Sequence, residues 1–85
     1  MKEWKYRITD PEGIHARPAG ELIKAIKDFE SKITITKEDK SADAKRIFGV
    51  MGLAVKQGQE ITITAQGPDE EEAIAAVEKF LKENL

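Results

Sequence analysis

The chain has 85 residues, of which 40% are hydrophobic and 35% charged, and its formal net charge is −2. These proportions predict one folded domain over residues 1–85 and exclude a disordered or fibrous chain. A net negative charge argues against a nucleic-acid partner, because such binding needs clustered positive charge. The lack of cysteine excludes disulfides and thiolate chemistry, and the single histidine excludes a histidine-rich metal cage. We therefore expect neither a metal nor a cofactor.

Nothing in the sequence predicts insertion into a membrane. No apolar run approaches the ~20 residues that span a bilayer. The first five residues, MKEWK, lack the apolar stretch of a secretion signal. We therefore expect a soluble, cytoplasmic protein.

The first half of the chain predicts a strand, a helix and a pair of strands. Aromatic and β-branched residues alternate with basic ones at 4–8, which is the pattern of a half-buried strand. From about 16 to 29 the apolar residues follow helical spacing, and Pro18 lies in the first turn, where it costs no hydrogen bond. Alternation returns at 33–36, and 41–44 is a candidate for a short return strand.

The second half predicts a short helix, a strand and a longer helix. Residues 47–55 form the most apolar segment, and the two glycines inside it indicate a short helix followed by irregular chain. A clear alternating strand covers 61–65. The last helix begins after Asp69, which we expect to form a capping-box-like pair with Glu72.

The predicted order of elements is β-α-β-β-α-β-α, which is an α+β fold. Each strand has one apolar face and one face of threonine or lysine. That pattern suits an antiparallel sheet with helices on one side and solvent on the other.

The only histidine, His15, lies between a loop and a predicted helix start. A lone histidine is often just a cap, a surface residue or a core residue. If His15 is the N-cap, the N–H groups of Ala16 and Arg17 have no helical partner and can bind an anion. The guanidinium of Arg17 also suits phosphate oxygens. Because neutral imidazole has a free lone pair, a nucleophile would then stand beside a phosphate cradle.

Three segments carry a resemblance that extends over essentially the whole chain. They are GIHARPA at 13–19, KRIFGVM at 45–51 and QGQEITITA at 57–65. In these segments, in length and in element order, the chain resembles the HPr family. Its members are the histidine-containing phosphocarriers of the bacterial phosphoenolpyruvate:sugar phosphotransferase system.

The resemblance implies an open-faced β-sandwich, in which three helices cover one face of a four-stranded antiparallel sheet. It implies that His15 accepts a phosphoryl group on Nδ1 from phospho-enzyme I and donates it to enzyme IIA domains for sugar uptake. Arg17 matches the family's phosphate-binding arginine, next to the N–H of Ala16. Such a protein is a carrier and not an enzyme with its own substrate pocket, and its small size favours a monomer.

An apolar patch on the short helix is the second predicted site. Ile47, Phe48 and Met51 could belong either to the core or to an exposed docking surface. The resemblance favours a surface that docks on enzyme I and enzyme IIA. Core positions in the same segment are expected at Val50, Leu53 and Val55.

The first helix is predicted to extend this docking surface. We expect Gly20, Lys24 and Lys27 on that helix to continue the surface. The two lysines are equally well explained as the solvent-facing side of an amphipathic helix.

Two positions depart from the family pattern. Arg46 stands where many Gram-positive members carry a regulatory serine, so we expect no kinase-dependent phosphorylation there. Its positive charge could instead favour an acidic partner surface. Glu12 stands where relatives often have a small polar residue, and a carboxylate beside a phosphohistidine would repel it. Glu12 therefore either points into solvent or makes the phosphoryl group easier to transfer.

Two other functions stay open at this point. One is a small α+β ligand-binding or regulatory module in which His15 only caps a helix, since fold alone does not decide function. The other is an HPr paralogue that serves a regulatory relay instead of sugar import. Phosphorylation by phosphoenolpyruvate and enzyme I tests the first, and transfer to enzyme IIA domains tests the second.

Overall fold

The computed structural model describes all 85 residues and contains four strands and three helices in the predicted order. The strands are β1 (Lys2–Arg7), β2 (Lys32–Lys37), β3 (Lys40–Asp43) and β4 (Glu60–Gln66). The helices are α1 (Ala16–Ile26), α2 (Ile47–Gly52) and α3 (Glu70–Asn84). The short return strand predicted at 41–44 is present as β3.

Helix α1 is shorter than its apolar spacing suggests. It ends at Ile26, whereas the sequence predicts an end near Phe29. The N–H of Phe29 donates to the carbonyl of Ile26 at 3.1 Å, a three-residue turn that replaces the four-residue helical bond. Phe29 nevertheless packs against the core. Its apolar character reflects burial in the turn after the helix.

The strands form one antiparallel sheet in the order β1-β4-β2-β3. Ile63 in the middle of β4 pairs with Trp4 on one side and with Ile35 on the other. Thr34 and Thr64 pair on the opposite face. The alternation in the sequence therefore separates an apolar face from a threonine-rich face.

The core lies between the apolar face of the sheet and the three helices. It contains 18 buried hydrophobic residues, among them Leu22 of α1 and Val77 of α3. The helices shield one face only, so the threonine-rich face stays open. The longest helix, α3, has 15 residues, and none of the helices combines the length and apolar character needed to cross a membrane.

Asp69, at the start of α3, bonds to a distant loop instead of to its own helix. It occupies the N-cap position, but its side chain makes no capping hydrogen bond. Its carboxylate accepts the N–H of Glu30 at 2.8 Å, and the N–H and hydroxyl of Ser31 at 2.9 and 2.5 Å. Ser31 is fully buried, so its hydroxyl needs this partner. Asp69 thus fastens the turn between α1 and β2.

The predicted pairing of Asp69 with Glu72 is therefore wrong. The carboxylate that reaches back across the helix start belongs to Glu70, whose Oε1 accepts the N–H of Gly67 at 3.2 Å. The Asp69 carboxylate is already committed to three donors across the fold, so no local box forms. The acidic run still lies at the helix N-terminus, where the macrodipole favours negative charge.

Candidate functional site

His15 is the N-cap residue of α1, as the sequence predicts. Its backbone is extended, and its carbonyl accepts the N–H of Ala19 at 3.0 Å, which opens the helix. The ring makes no capping hydrogen bond, and 37% of the side-chain surface is exposed. The imidazole is therefore accessible to a partner and is neither a core residue nor a side-chain cap.

A tight loop fixes the entry of the chain into α1. The Asp10 carboxylate accepts the N–H of Glu12 at 2.8 Å, and the Asp10 carbonyl accepts the N–H of Gly13 at 2.9 Å. Gly13 has a φ of 69°, and a Cβ at this position would collide with the carbonyl oxygen of Val55. That oxygen accepts the N–H of Ile14 at 3.0 Å. The loop therefore needs glycine here and is tied to the chain that follows α2.

The first turn of α1 leaves backbone donors unpaired. The N–H groups of Ala16 and Arg17 have no protein partner, and Pro18 has no N–H. The surface around them is an open depression of about 220 Å³, lined by Asp10, His15, Arg17, Pro18, Glu21 and Asn84. Its polar walls suit a small charged group better than an apolar ligand, because organic ligands usually need apolar contact. Free amides and a positive helix end attract an anion.

Arg17 is paired with a residue that the sequence interpretation missed. Its Nε lies 3.5 Å from Oε1 of Glu21, one helical turn later, and 85% of its side chain is exposed. An exposed pair of this kind contributes at most about 1 kcal/mol. The guanidinium can therefore leave Glu21 for a stronger anion at little cost. The four-residue spacing of the two side chains was the signal available in the sequence.

Glu12 lies against the imidazole. Its side chain is 73% exposed, yet its Oε2 is 3.3 Å from Nε2 of His15. Glu12 is thus largely in solvent, as one of its two alternatives has it, and at the same time contacts the ring. Its effect on phosphoryl transfer stays a prediction. Nδ1, the other ring nitrogen, is bonded to the carbon nearer the backbone, and its lone pair points away from the one on Nε2.

Three potential metal ligands meet at this loop. One ligand atom each from Asp10, Glu12 and His15 lie within 4.8 Å of one another. Exposed carboxylates of this kind are common on protein surfaces and do not by themselves define a metal centre. Their direct effect is electrostatic, since they place negative charge beside the ring.

The apolar patch on α2 divides between surface and core. Phe48 is 86% exposed and Met51 is 38% exposed, whereas Ile47 is half-buried and packs against the core. One helix can bury only one stripe, so an all-apolar helix must leave some of its side chains in solvent. The predicted core positions are all buried: Val50, Leu53 and Val55.

Helices α1 and α2 meet beside the candidate site. A Cβ at Gly20 would lie 3.9 Å from Cδ1 of Ile47, which is ordinary van der Waals contact. Gly20 therefore joins the His15 end of α1 to the α2 patch. Lys24 on α1 and Lys27, the C-cap residue of α1, are exposed, which agrees both with a docking surface and with a solvent-facing helix side.

Arg46 is the N-cap residue of α2 and is exposed. Its Nε lies 3.8 Å from Oδ2 of Asp43. The nearby Ser41 lies in β3, where its hydroxyl is 3.1 Å from that of Thr36. The expected absence of kinase-dependent phosphorylation at position 46 stays a prediction.

Comparison with known proteins gives a consistent result across the whole chain. A family model described as "PTS HPr component phosphorylation site" matches residues 2–83. Phosphocarrier protein HPr of Lysinibacillus sphaericus is 45% identical over 83 residues, which cover 98% of this chain and 94% of that protein.

Solved structures agree with the sequence comparisons. The histidine-containing phosphocarrier protein of a Mycoplasma has a TM-score of 0.93 and 41% identity, over 96% of this chain and 93% of that one. Crh of Bacillus subtilis, described as a catabolite repression protein that forms a swapped dimer, has a TM-score of 0.79 and 35% identity, over 100% and 98%. These likenesses confirm the open-faced α+β fold, and the chain belongs to the HPr family of phosphocarrier proteins.

Proposed function

We propose that His15 carries a phosphoryl group from phospho-enzyme I to enzyme IIA domains of the phosphotransferase system. The observation that carries this proposal is the accessible imidazole at the start of α1, in one depression with the Arg17 guanidinium and beside two unpaired amides. A nucleophile and an anion-binding cradle held in fixed relation are what phosphoryl acceptance requires. Family membership supports this function over that of a ligand-binding module.

The residues at the start of α1 have different parts in the transfer. A neutral ring nitrogen of His15 attacks phosphorus, the bond from phosphorus to the donor's leaving atom breaks, and its electron pair stays with the donor. The N–H groups of Ala16 and Arg17 then donate to the phosphoryl oxygens. The Arg17 guanidinium turns from Glu21 towards the same oxygens, because a phosphoryl dianion is a stronger partner than an exposed carboxylate.

The docking surface for both partners is proposed around the meeting point of α1 and α2. Exposed Phe48 and Met51 supply apolar, adaptable contact area at its centre. Its rim contains the half-buried Ile47 and, on the two helices or at their caps, the small or basic residues Gly20, Lys24, Lys27 and Arg46. We propose a monomeric, cytoplasmic carrier, although Crh, at 35% identity, is described as a swapped dimer.

The test of the proposal is transfer from phosphoenolpyruvate. Incubation with phosphoenolpyruvate and enzyme I should add one acid-labile phosphoryl group to the wild type and none to His15→Ala. His15→Ala should keep the wild-type unfolding midpoint, because the ring makes no hydrogen bond to the helix. An unmodified wild type, or a phosphorylated His15→Ala, contradicts the proposal.

The paralogue alternative has one observation behind it, the 35% identity to Crh, which is described as a catabolite repression protein; this is lower than the 45% identity to phosphocarrier protein HPr. A second step of the same assay decides between the two. Sugar-specific enzyme IIA domains should remove the phosphoryl group if the protein serves sugar uptake. A phosphorylated protein that no enzyme IIA dephosphorylates supports the relay. Incubation with the regulatory kinase and ATP should leave position 46 unmodified in either case.

Phe48→Ala tests the docking surface. Because Phe48 is 86% exposed, the free energy of unfolding should change by less than about 0.5 kcal/mol, while binding to enzyme I should weaken about tenfold. Calorimetric titration and urea unfolding measure the two effects. Leu53→Ala, at a buried position 3% exposed, is the matched control and should lose about 2–5 kcal/mol of stability. If Phe48→Ala loses much stability but still binds enzyme I, Phe48 has a structural role and the docking proposal is contradicted.

A further inference from the structure

We propose that Glu12 is a positioning residue for His15: its carboxylate keeps the proton on Nε2, presents Nδ1 as the phosphoryl acceptor, and stabilises the positive ring that forms on phosphorylation. The proposal rests on the phosphocarrier function above and adds a residue to it.

The 3.3 Å contact between Oε2 of Glu12 and Nε2 of His15 favours Nδ1 as the nucleophile. A carboxylate oxygen repels a lone pair at that distance and attracts an N–H. The neutral ring therefore carries its hydrogen on Nε2, and the free lone pair is on Nδ1. Carboxylates orient imidazole in the same way in hydrolase triads and behind metal-bound histidines.

The loop holds Glu12 where this contact can form. The backbone N–H of Glu12 is tied to the Asp10 carboxylate at 2.8 Å, and the next residue, Gly13, is packed against Val55. Asp10 belongs to the same cluster, and its Oδ1 accepts the Glu12 N–H. Glu12 is the carboxylate whose oxygen lies within ion-pair distance of Nε2.

Phosphorylation strengthens the interaction. When Nδ1 forms its bond to phosphorus, the bond to the donor breaks and its electrons leave with the donor. Nε2 keeps its hydrogen, so the ring becomes positively charged. Glu12 then faces a cation at 3.3 Å. The phosphoryl dianion carries twice the charge at about twice the distance, but the Arg17 guanidinium and the two free amides of the first turn offset part of its charge, so attraction to the ring prevails.

Two neutralising variants and a control separate hydrogen bonding from charge. Glu12→Gln keeps an oxygen acceptor but loses the charge, and Glu12→Ala loses both. Glu3→Gln removes the same charge from an exposed position in β1, opposite Thr64 of β4, and is the matched control. Both positions are on the surface, and urea unfolding checks that each of the three variants folds.

The tautomer is read directly in the unphosphorylated protein. His15 is the only histidine, so a long-range proton–nitrogen NMR spectrum shows one ring. With the ring neutral, wild type, Glu12→Gln and Glu3→Gln should hold hydrogen on Nε2. Glu12→Ala should shift the tautomer ratio towards Nδ1–H by about two- to fivefold, the size expected of an exposed pair. An unchanged ring spectrum in Glu12→Ala overturns the tautomer assignment.

The charge effect is read in the phosphorylated protein. At a fixed ratio of phosphoenolpyruvate to pyruvate, Glu12→Gln should lower the equilibrium ratio of phosphorylated to free protein by about two- to fivefold, and Glu3→Gln should not. Equal ratios in the wild type and Glu12→Gln overturn the stabilising role. If the wild type is never phosphorylated, the proposed phosphocarrier function is refuted. The tautomer assignment is not, because the ring spectra are recorded without enzyme I.

Discussion

The N-termini of α1 and α3 have the same backbone features but opposite side-chain surroundings. Both present unpaired amides and the positive end of the helix dipole. The first turn of α3 contains three glutamates, and Glu70 accepts a donor from the residues just before the helix. The first turn of α1 contains no acidic residue, and its N-cap, His15, makes no capping hydrogen bond.

This difference separates a structural helix start from a functional one. At α3 the positive end is neutralised within the protein, and Asp69 uses its carboxylate to hold a neighbouring turn. At α1 the positive end stays open beside a nucleophile. The protein thereby gives up a small amount of local stabilisation at the place where a phosphoryl dianion can supply the missing negative charge.

Gly13→Ala, in the loop before α1, should have the largest effect on stability. A positive φ is costly for alanine, and its Cβ would collide with the Val55 carbonyl, so the expected loss is about 3 kcal/mol of unfolding free energy. Gly58→Ala is the matched control, because Gly58 has a φ of 85° but no neighbouring atom within 4 Å. It should lose only about 1 kcal/mol. Urea unfolding measures both, and equal losses would show that the collision with Val55 does not matter.

Asp69→Ala, at the start of α3, should lower stability by a smaller amount. It leaves the buried hydroxyl of Ser31 and the Glu30 and Ser31 amides without their acceptor, so Tm should fall by several degrees. In Asp69→Asn, which keeps one oxygen acceptor, Tm should fall less. Glu71→Ala, in the same helical turn but exposed, is the control and should change Tm little. A Tm for Asp69→Ala equal to that of Glu71→Ala contradicts the role assigned to Asp69.

The α3 helix start should also make stability depend on pH in the acid range. Hydrogen bonds from the Ser31 hydroxyl and the Glu30 N–H hold the pKa of Asp69 below its ordinary value of 3.8. The α-amino group of Met1 and the Gly67 N–H likewise hold the pKa of Glu70 below 4.5. Both carboxyls bind protons more weakly in the folded state. Their stabilisation is therefore complete above these ordinary values and is lost as pH falls through the lowered folded pKa values.

Urea unfolding from neutral pH down to about 2 measures this dependence. The wild type should lose stability on the acid side, and Asp69→Asn should lose less over the same range because one of the two groups is gone. If the free energy of unfolding falls as steeply with acid in Asp69→Asn as in the wild type, other carboxylates cause the pH dependence.

Local patterns in the sequence predicted the framework of both helix starts. Alternation placed Ile33 and Ile61 in strands, and the apolar spacing after His15 placed that residue at a helix N-cap. These features depend on neighbours within one or two turns of chain. The HPr resemblance added the phosphoryl acceptor role of His15, which periodicity alone left open.

The side-chain partners could not be predicted, because they depend on contacts between distant segments. Asp69 looks like a local cap, but its donors lie in a turn 38 and 39 residues away. Ile47 and Phe48 are adjacent and both apolar, yet only Ile47 meets α1 at Gly20. Glu12 lies against the ring because of a turn that Asp10 and Gly13 create.

Ala16→Glu gives α1 the acidic first turn that α3 already has, and it should have the smallest effect on stability. The new carboxylate should interact favourably with the helix dipole and raise the free energy of unfolding by about 0.5 kcal/mol. It should also slow phosphoryl acceptance, since it puts negative charge where the phosphoryl oxygens bind. Ala16→Gln, without the charge, is the control for both readouts. A variant that is more stable but transfers as fast as the wild type would show that the open helix start does not serve the phosphoryl group. Opposite signs in the two measurements would show that α1 is kept free of acid because His15 must accept an anion there.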